Sequence, residues 1–151
     1  MTPRQLVGLA LLVVAASCRD SVGPERPTTD LEAARQQWRA QNLHTYAFTL
    51  QRSCFCGYVD PLYVAVVNDT VVEVLDFRTG AVVDLHLGDT IEGLFTFIQN
   101  AIDNHAQLIR ANYDAAKGFP IEIDYDGSAQ VADDEIFYRI SDVHPITPQQ
   151  P

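Results

Sequence analysis

Hydrophobic and polar positions recur along the chain with two different spacings, and the first spacing predicts two helices. Apolar residues separated by three and four positions mark residues 30–41 and 90–104, a pattern typical of amphipathic helices. The first helix is preceded by a capping box in which Thr29 is the N-cap and Glu32 occupies the third helical position. We expect this helix to end near Gln41.

The second spacing, a strict alternation of apolar and polar residues, predicts β-strands. A two-residue turn at Asn68-Asp69 joins two β-branched runs and indicates a hairpin. Residues 81–87 are a candidate for an additional strand. The other predicted strands cover residues 45–52, 62–67, 70–77, 107–113, 119–125 and 135–143.

These elements occur twice in the same order, as a helix, a strand and a hairpin. Strands joined by hairpins favour an antiparallel sheet, and the chain lacks the strand–helix–strand alternation of a parallel sheet. The sequence therefore predicts an α+β fold, an antiparallel sheet with two helices packed on one face, in a single domain over residues 29–143. The repeated order also raises the hypothesis of an αβββ–αβββ duplication, although residue identity between the halves is poor.

The N-terminal segment is a candidate export signal. An uncharged apolar run, residues 6–18, follows Arg4 and ends with the small residues Ala15-Ala16-Ser17 and then Cys18. A run of about 13 apolar residues falls short of the roughly 20 that cross a bilayer. Because a cysteine directly follows the small residues, the segment resembles a bacterial lipoprotein signal. The alternative is a plain signal peptide cut elsewhere, since Ala15 stands where such signals usually carry leucine.

The resemblance to lipoprotein signals implies that Cys18 is lipidated and carries fatty acyl chains such as palmitate. Residues 1–17 would then be removed, and residues 18–28 would form the lipidated N-terminus and a flexible tether. Separately, the prolines near the C-terminus predict that residues 144–151 form a disordered tail. We expect an extracytoplasmic protein held by its lipid to the periplasmic face of an outer membrane or to a cell surface.

The charge balance restricts the partners of the protein. The chain carries 20 acidic residues against 10 lysines and arginines, a formal net charge of −10, and it has no basic cluster. Nucleic acid binding depends on such clusters, so we expect no nucleic acid partner. Anionic headgroups should repel the folded domain, which leaves the lipid anchor as the membrane contact.

Cys54 and Cys56 are the first candidate site, since residues two apart in a strand point to the same side. In an extended strand their Cα atoms would lie about 6.6–7 Å apart, at or beyond the usual disulfide limit. A bend at Gly57 would shorten this distance. Three interpretations remain open: a disulfide or an inert thiol pair, a soft-metal site completed by His44 or His86, and a redox-active pair.

The second candidate site is the acidic stretch that begins at Asp124. Counted from there, oxygen-bearing side chains fall at positions 1, 3, 5 and 12 of a calcium loop, but the glycine is misplaced and the flanks read as strands. An irregular calcium site is one hypothesis, and a solvated acidic connection is the alternative. The candidate cation ligands are Asp124, Asp126, Asp133, Asp134 and Glu135. The last two are also the candidate carboxylates of a hydrolase.

Several motifs resemble an uncharacterised bacterial family of small secreted or lipid-anchored proteins. The likeness rests on residues 46–56 with their Cys-Phe-Cys, on residues 93–102, on Gly118-Phe119-Pro120, and on the Ala-Asp-Asp-Glu of residues 132–135. It covers roughly residues 30–143. The resemblance implies a domain of unknown function and carries over no activity.

We therefore expect a non-catalytic binding or interaction module with a protein or small-molecule partner, and we assign no catalytic residue. The alternative is a metal- or thiol-dependent protein that uses Cys54 and Cys56. A second alternative is a hydrolase that uses Asp134 and Glu135. No cofactor is expected, apart from calcium or a soft metal under the two site hypotheses.

Overall fold

The computed structural model describes residues 27–147, with side chains from Asp30 onward. The expected signal, Cys18 and most of the tether lie outside the described residues, as do residues 148–151. Within the described part, no helix is long and apolar enough to cross a membrane. The elements are α1 (Pro27–Ala40), β1 (Tyr46–Cys54), β2 (Leu62–Val67), β3 (Thr70–Asp76), a 3₁₀ turn (Leu85–Leu87), α2 (Ile91–Asp103), β4 (Leu108–Tyr113), β5 (Pro120–Asp126) and β6 (Ile136–Pro145).

The residues at the start of each helix explain where the two helices begin. α1 begins at Pro27, so Thr29 lies inside the helix and its expected role as N-cap is wrong. Proline is favoured at a helix start because its fixed φ is already helical and its missing N–H would have no partner there. α2 is capped by Thr90, whose hydroxyl accepts a hydrogen bond from the N–H of Gly93 at 2.9 Å.

The six strands form one antiparallel sheet in the order β3-β2-β1-β6-β5-β4. The additional strand expected at 81–87 is wrong, because Val82 makes only an isolated bridge to Leu75 and a 3₁₀ turn follows. β6 continues to Pro145 and pairs there with Tyr46, so the sheet takes in residues expected in the tail.

The predicted α+β class is wrong, because the structure is mostly β, with 39% strand and 23% helix. The expected packing of both helices on one face is not confirmed; their close backbone contacts are with each other and with β4 and β5. The duplication is not confirmed either.

The hydrophobic core is built from alternate positions of the strands and one stripe of each helix. Trp38 of α1 belongs to this core and packs edge-to-face on Tyr46, with ring centroids 5.3 Å apart, and on Phe119, at 6.3 Å. The fully buried side chains of the core include those of Phe48, Leu50, Leu62, Val64, Ile91, Phe95, Ile98 and Ile123.

The register defines two ends of the sheet. At one end β1 starts beside the β2–β3 turn, with Tyr46 opposite Val66. At the other end β1 stops beside the start of β6, with Cys54 opposite Ile136. The loops at these two ends carry the candidate functional groups.

Candidate functional site

A cleft of about 450 Å³ opens at the end where β1 starts, and we call it the His44 cleft. It lies between the end of α1, the α1–β1 loop, the β2–β3 turn and the first turn of α2. It is lined by Trp38, Arg39, Asn42, Leu43, His44, Tyr46, Asp69, Thr90, Glu92, Gly93 and Thr96.

Left-handed backbone conformations shape two walls of the His44 cleft. Asn42 has φ 51°, and the hairpin residues Asn68 and Asp69 have φ 48° and 60°. Asparagine and aspartate adopt this region more readily than other non-glycine residues, and a hairpin turn with two positive φ values matches the twist of its strands. The tight turn brings Asp69 back toward the α1–β1 loop.

His44 and Asp69 form the polar pair of the cleft. The N–H of Asp69 donates to the carbonyl of His44 at 2.9 Å, and His44 Nδ1 lies 2.7 Å from Asp69 Oδ2. His44 Nε2 lies 3.3 Å from Asn42 Oδ1. The side chains of His44 and Asp69 are 58% and 64% exposed, so the pair is oriented and still accessible to a ligand.

Glu92 forms the opposite wall. Its Oε1 accepts hydrogen bonds from Arg35 Nε at 2.7 Å and from Arg39 Nη2 at 2.5 Å. The hydrogen bond to Glu92 and its negative charge raise the pKa of Arg39 above its ordinary value. Since Glu92 lies in the first turn of α2 and both arginines in α1, these charge-assisted bonds hold the two helices together at the cleft.

Tyr46 forms part of the floor. Its hydroxyl accepts a hydrogen bond from the N–H of Ile91 at 3.0 Å, which satisfies one of the free donors at the start of α2. Burial raises the pKa of Tyr46 to about 12, so its phenol stays neutral. The floor is therefore aromatic and rigid, while the rim is polar.

The side chains of this cleft are arranged so that a small molecule could bind noncovalently. An oriented histidine beside a carboxylate is half of a nucleophile-activating constellation, but no serine or cysteine is among the lining residues. The hydroxyl of Thr90 caps α2, and that of Thr96 donates to the carbonyl of Glu92. A cleft with an apolar floor and a few convergent polar groups is the usual form of a small-molecule site.

Cys54 and Cys56 lie at the opposite end of the sheet. They are in disulfide contact, with Cα atoms 5.2 Å apart, which is shorter than a fully extended strand allows. Phe55 between them is 85% exposed, and Cys56 is also exposed. The disulfide interpretation of this pair is therefore the one that the structure supports.

The loop after Cys56 is tied to the end of β3. The hydroxyl of Tyr58 donates to Asp76 Oδ2 at 2.5 Å, and Asp60 forms an ion pair with Arg78. Asp76 is buried and also accepts bonds from the N–H and hydroxyl of Thr79. The hydrogen bond from Tyr58, with those from Thr79, lowers the pKa of Asp76.

The acidic stretch lies beside the cysteine pair. Cys54 pairs with Ile136, which directly follows Asp133, Asp134 and Glu135. Asp134 is half-buried and its Oδ1 has no hydrogen-bond partner, whereas Glu135 is exposed. In residues 27–147, no group of three or more histidine, cysteine, aspartate or glutamate side chains is placed to hold a metal ion. The calcium and soft-metal hypotheses gain no support from this geometry.

Sequence reasoning singled out the motifs at the cysteine end and missed the cleft. Of the cleft residues, only His44 was named as a candidate functional residue, namely as a metal ligand, and Asp69 was named only as part of the hairpin turn. The available signals were the Asn68-Asp69 turn and the polar residues of the α1–β1 loop. Neither signal shows that His44 and Asp69, 25 positions apart, meet.

Fold and site together define a mostly-β domain with one antiparallel sheet and a ligand-sized cleft at one sheet end. Residues 30–145 match the model of DUF6174, a family of unknown function, and the chain belongs to that family. No curated protein and no solved structure matches the chain. The family match confirms the prediction that most of the chain is an uncharacterised domain, and it assigns no activity to that domain.

Proposed function

We propose that this protein is a non-catalytic binding module whose ligand site is the His44 cleft. The observation that carries the proposal is the cleft itself, about 450 Å³ of open space with an aromatic floor and a rim of hydrogen-bonding groups. This volume lies in the range of small-molecule sites. The ligand class that fits is a small polar molecule with an apolar ring or chain and several hydroxyl or amine donors.

The rim explains this choice of ligand. Asp69 and Glu92 offer carboxylate oxygens, and Asn42 offers an amide, so acceptors for ligand donors are abundant. The apolar part of a ligand would lie against Leu43 and Trp38. Because Asp69 orients His44 and two arginines hold Glu92, these groups need little reordering when a ligand binds.

Fragment screening by two-dimensional NMR tests the cleft as a ligand site. With a library of small polyols, amino sugars and amines, we expect shift changes that cluster at the cleft residues. His44→Ala should abolish or weaken the binding at least fivefold, whereas His86→Ala, an exposed histidine outside the cleft, should leave it unchanged. Binding that clusters elsewhere, or that survives His44→Ala unchanged, contradicts the proposal.

We further propose that the module works outside the cytoplasm, held by a lipid on Cys18. The support is the apolar run of residues 6–18, which ends in small residues and a cysteine. Metabolic labelling with an alkyne fatty acid should mark the wild-type protein and not Cys18→Ala. A Cys54→Ala/Cys56→Ala double variant should be labelled like wild type. Equal labelling of Cys18→Ala would contradict the anchor.

A second candidate function is thiol–disulfide exchange at Cys54 and Cys56. The observation in its favour is that the pair is in disulfide contact on an exposed loop. A bridge that closes a ring of only three residues stabilises a fold by about 1.6 kcal/mol in the chain-entropy model, against about 3 kcal/mol for a fifteen-residue loop. The small gain in stability is therefore a weak explanation for the presence of this disulfide.

In such an exchange a substrate thiolate attacks one sulfur of the bridge, and the other sulfur leaves as a thiolate. A second substrate thiol resolves the mixed disulfide, so two electrons pass from the substrate dithiol to the bridge. Equilibration with dithiothreitol, followed by maleimide labelling, measures the potential. A value above about −230 mV favours exchange, and one below about −300 mV indicates a structural bridge.

A further inference from the structure

The outer edge of β4 is an unpaired strand edge within the part of the chain that the structure describes. β4 is the last strand of the sheet and pairs only with β5. The N–H of Gln107 donates to the carbonyl of Gly127, so Gln107 faces β5. Backbone groups alternate in direction along an antiparallel strand, and those of Leu108, Arg110 and Asn112 therefore point away from the sheet.

These outward groups have no hydrogen-bond partner among residues 27–147. Three N–H groups and three carbonyls along one edge form a template for an additional strand. An exposed edge of this kind is normally covered or blocked by charge, and β4 carries a single charged residue, Arg110. Within the described residues 27–147, the edge is thus open and nearly unprotected.

A groove of about 540 Å³ runs along this edge on the side of the helices. Its walls are β4 itself, Asp30 of α1 and Ile98 of α2. The half-buried side chains of Ile109 and Ala111 point toward the helices and supply apolar surface. A strand added to β4 would therefore place alternate side chains in the groove.

We propose that β4 binds an extended peptide segment of a partner protein by antiparallel strand addition, with an acidic residue of the peptide opposite Arg110. Arg110 is exposed, and although Asp124 of β5 lies opposite it in the register, Arg110 makes no ion pair with any of the described residues. Opposite charges at facing positions stabilise a strand pair. The peptide residues on either side of the acid point into the groove and are apolar, which gives the pattern apolar–acidic–apolar.

A second copy of the chain is a poorer occupant of this edge. In the antiparallel self-pairing with the most hydrogen bonds, Arg110 lies directly opposite Arg110 of the other copy, and like charges at facing positions destabilise a strand pair. Two copies would also carry a formal net charge of −10 each. A peptide with one acid opposite Arg110 avoids the local repulsion.

Fluorescence anisotropy with the full chain in a mild non-ionic detergent tests the proposal. The probe is a labelled peptide Thr-Thr-Val-Glu-Val-Thr-Thr, and the control peptide has lysine in place of the glutamate. We expect the glutamate peptide to bind wild type about tenfold more tightly than the lysine peptide. Arg110→Glu should reverse this preference, and Arg110→Gln should remove it. Thermal unfolding of each variant confirms that it is folded.

Amide hydrogen exchange supplies the second measurement. The amides of Leu108, Arg110 and Asn112 should exchange rapidly in the free protein and at least tenfold more slowly with the glutamate peptide. Protection already present in a monomer would show that another segment of the chain occupies the edge, and a dimer that Arg110→Glu alters would show a second copy there. Either result, or an absence of binding by both peptides, overturns the proposal.

Discussion

The two ends of the sheet differ in how far apart in the sequence their contacting residues lie. At the cleft end, His44 contacts Asp69 and Glu92 contacts Arg39, pairs that are 25 and 53 positions apart. At the cysteine end, the disulfide joins residues two positions apart, and the acidic residues lie in one short connection. Among the described residues, the cysteine end, where the sequence motifs lie, has no group of side chains placed to hold a metal ion. The other end, which carries no such motif, has the ligand-sized cleft. A concave site depends on side chains from several elements, and a local motif does not supply them.

The largest expected difference between the ends is in stability. Trp38→Ala should lower the free energy of unfolding by about 3–5 kcal/mol, because Trp38 is only 5% exposed and packs on Tyr46 and Phe119. Phe55→Ala at the cysteine end should change it by less than about 0.5 kcal/mol, since Phe55 is 85% exposed. Urea unfolding measures both. Similar losses in the two variants would remove the distinction.

Reduction of the Cys54–Cys56 pair should have a smaller effect. We expect a loss of about 1.6 kcal/mol or less, because so short a ring restricts the unfolded chain little. The NMR signals of the cleft residues should stay in place, since the pair lies at the other end of the sheet. Unfolding curves with and without dithiothreitol give the energy. Shifted cleft signals would show that the two ends are coupled.

Glu92→Gln tests the wall of the cleft. We expect a loss of about 1 kcal/mol in unfolding free energy through the part-buried bond to Arg35, together with weaker ligand binding. The matched control is Glu122→Gln, which removes a more exposed pair with Arg139 away from the cleft and should cost less stability and no binding. Equal losses of binding in both variants would contradict a role for this wall.

The pH dependence of stability should differ between Asp76 and Asp89. Hydrogen bonds from Tyr58 and Thr79 lower the pKa of Asp76, so its stabilisation is present above the unfolded pKa of 3.8 and is lost as the pH falls through the folded pKa. Burial raises the pKa of Asp89, so its ionisation costs stability as the pH rises above 3.8.

Unfolding measured from pH 2 to 7 tests this opposition. Asp76→Asn should lower the free energy of unfolding at pH 7, and it should make this free energy fall less steeply as the pH is lowered. Asp89→Asn should raise the stability at pH 7, because an amide oxygen can still accept the bond from Thr90 and carries no charge. If Asp89→Asn lowers the free energy of unfolding at pH 7, burial is not the main cause of the raised pKa of Asp89.

Local sequence patterns predicted most elements to within a few residues. The Asn68-Asp69 turn and the apolar stripe of α2 from Ile91 to Ala101 depend on neighbours in the chain, so periodicity was sufficient. The expected N-cap at Thr29 was wrong because the helix starts at Pro27. The disulfide interpretation of Cys54 and Cys56 agrees with their contact in the structure, whereas the shortened Cα–Cα distance of 5.2 Å could not be read from the sequence.

By itself, the sequence determined where most helices and strands form, the acidic character of the chain and a cysteine pair at the end of a strand. Those properties arise from residue type and from contacts between near neighbours. Only the tertiary structure decided the β1–β6 pairing, the balance of strand over helix, the position of β4 at the edge of the sheet and the His44 cleft. Each of these features depends on which distant segments pack together. That packing is determined by the free energy of the whole core, which cannot be read from a local sequence pattern.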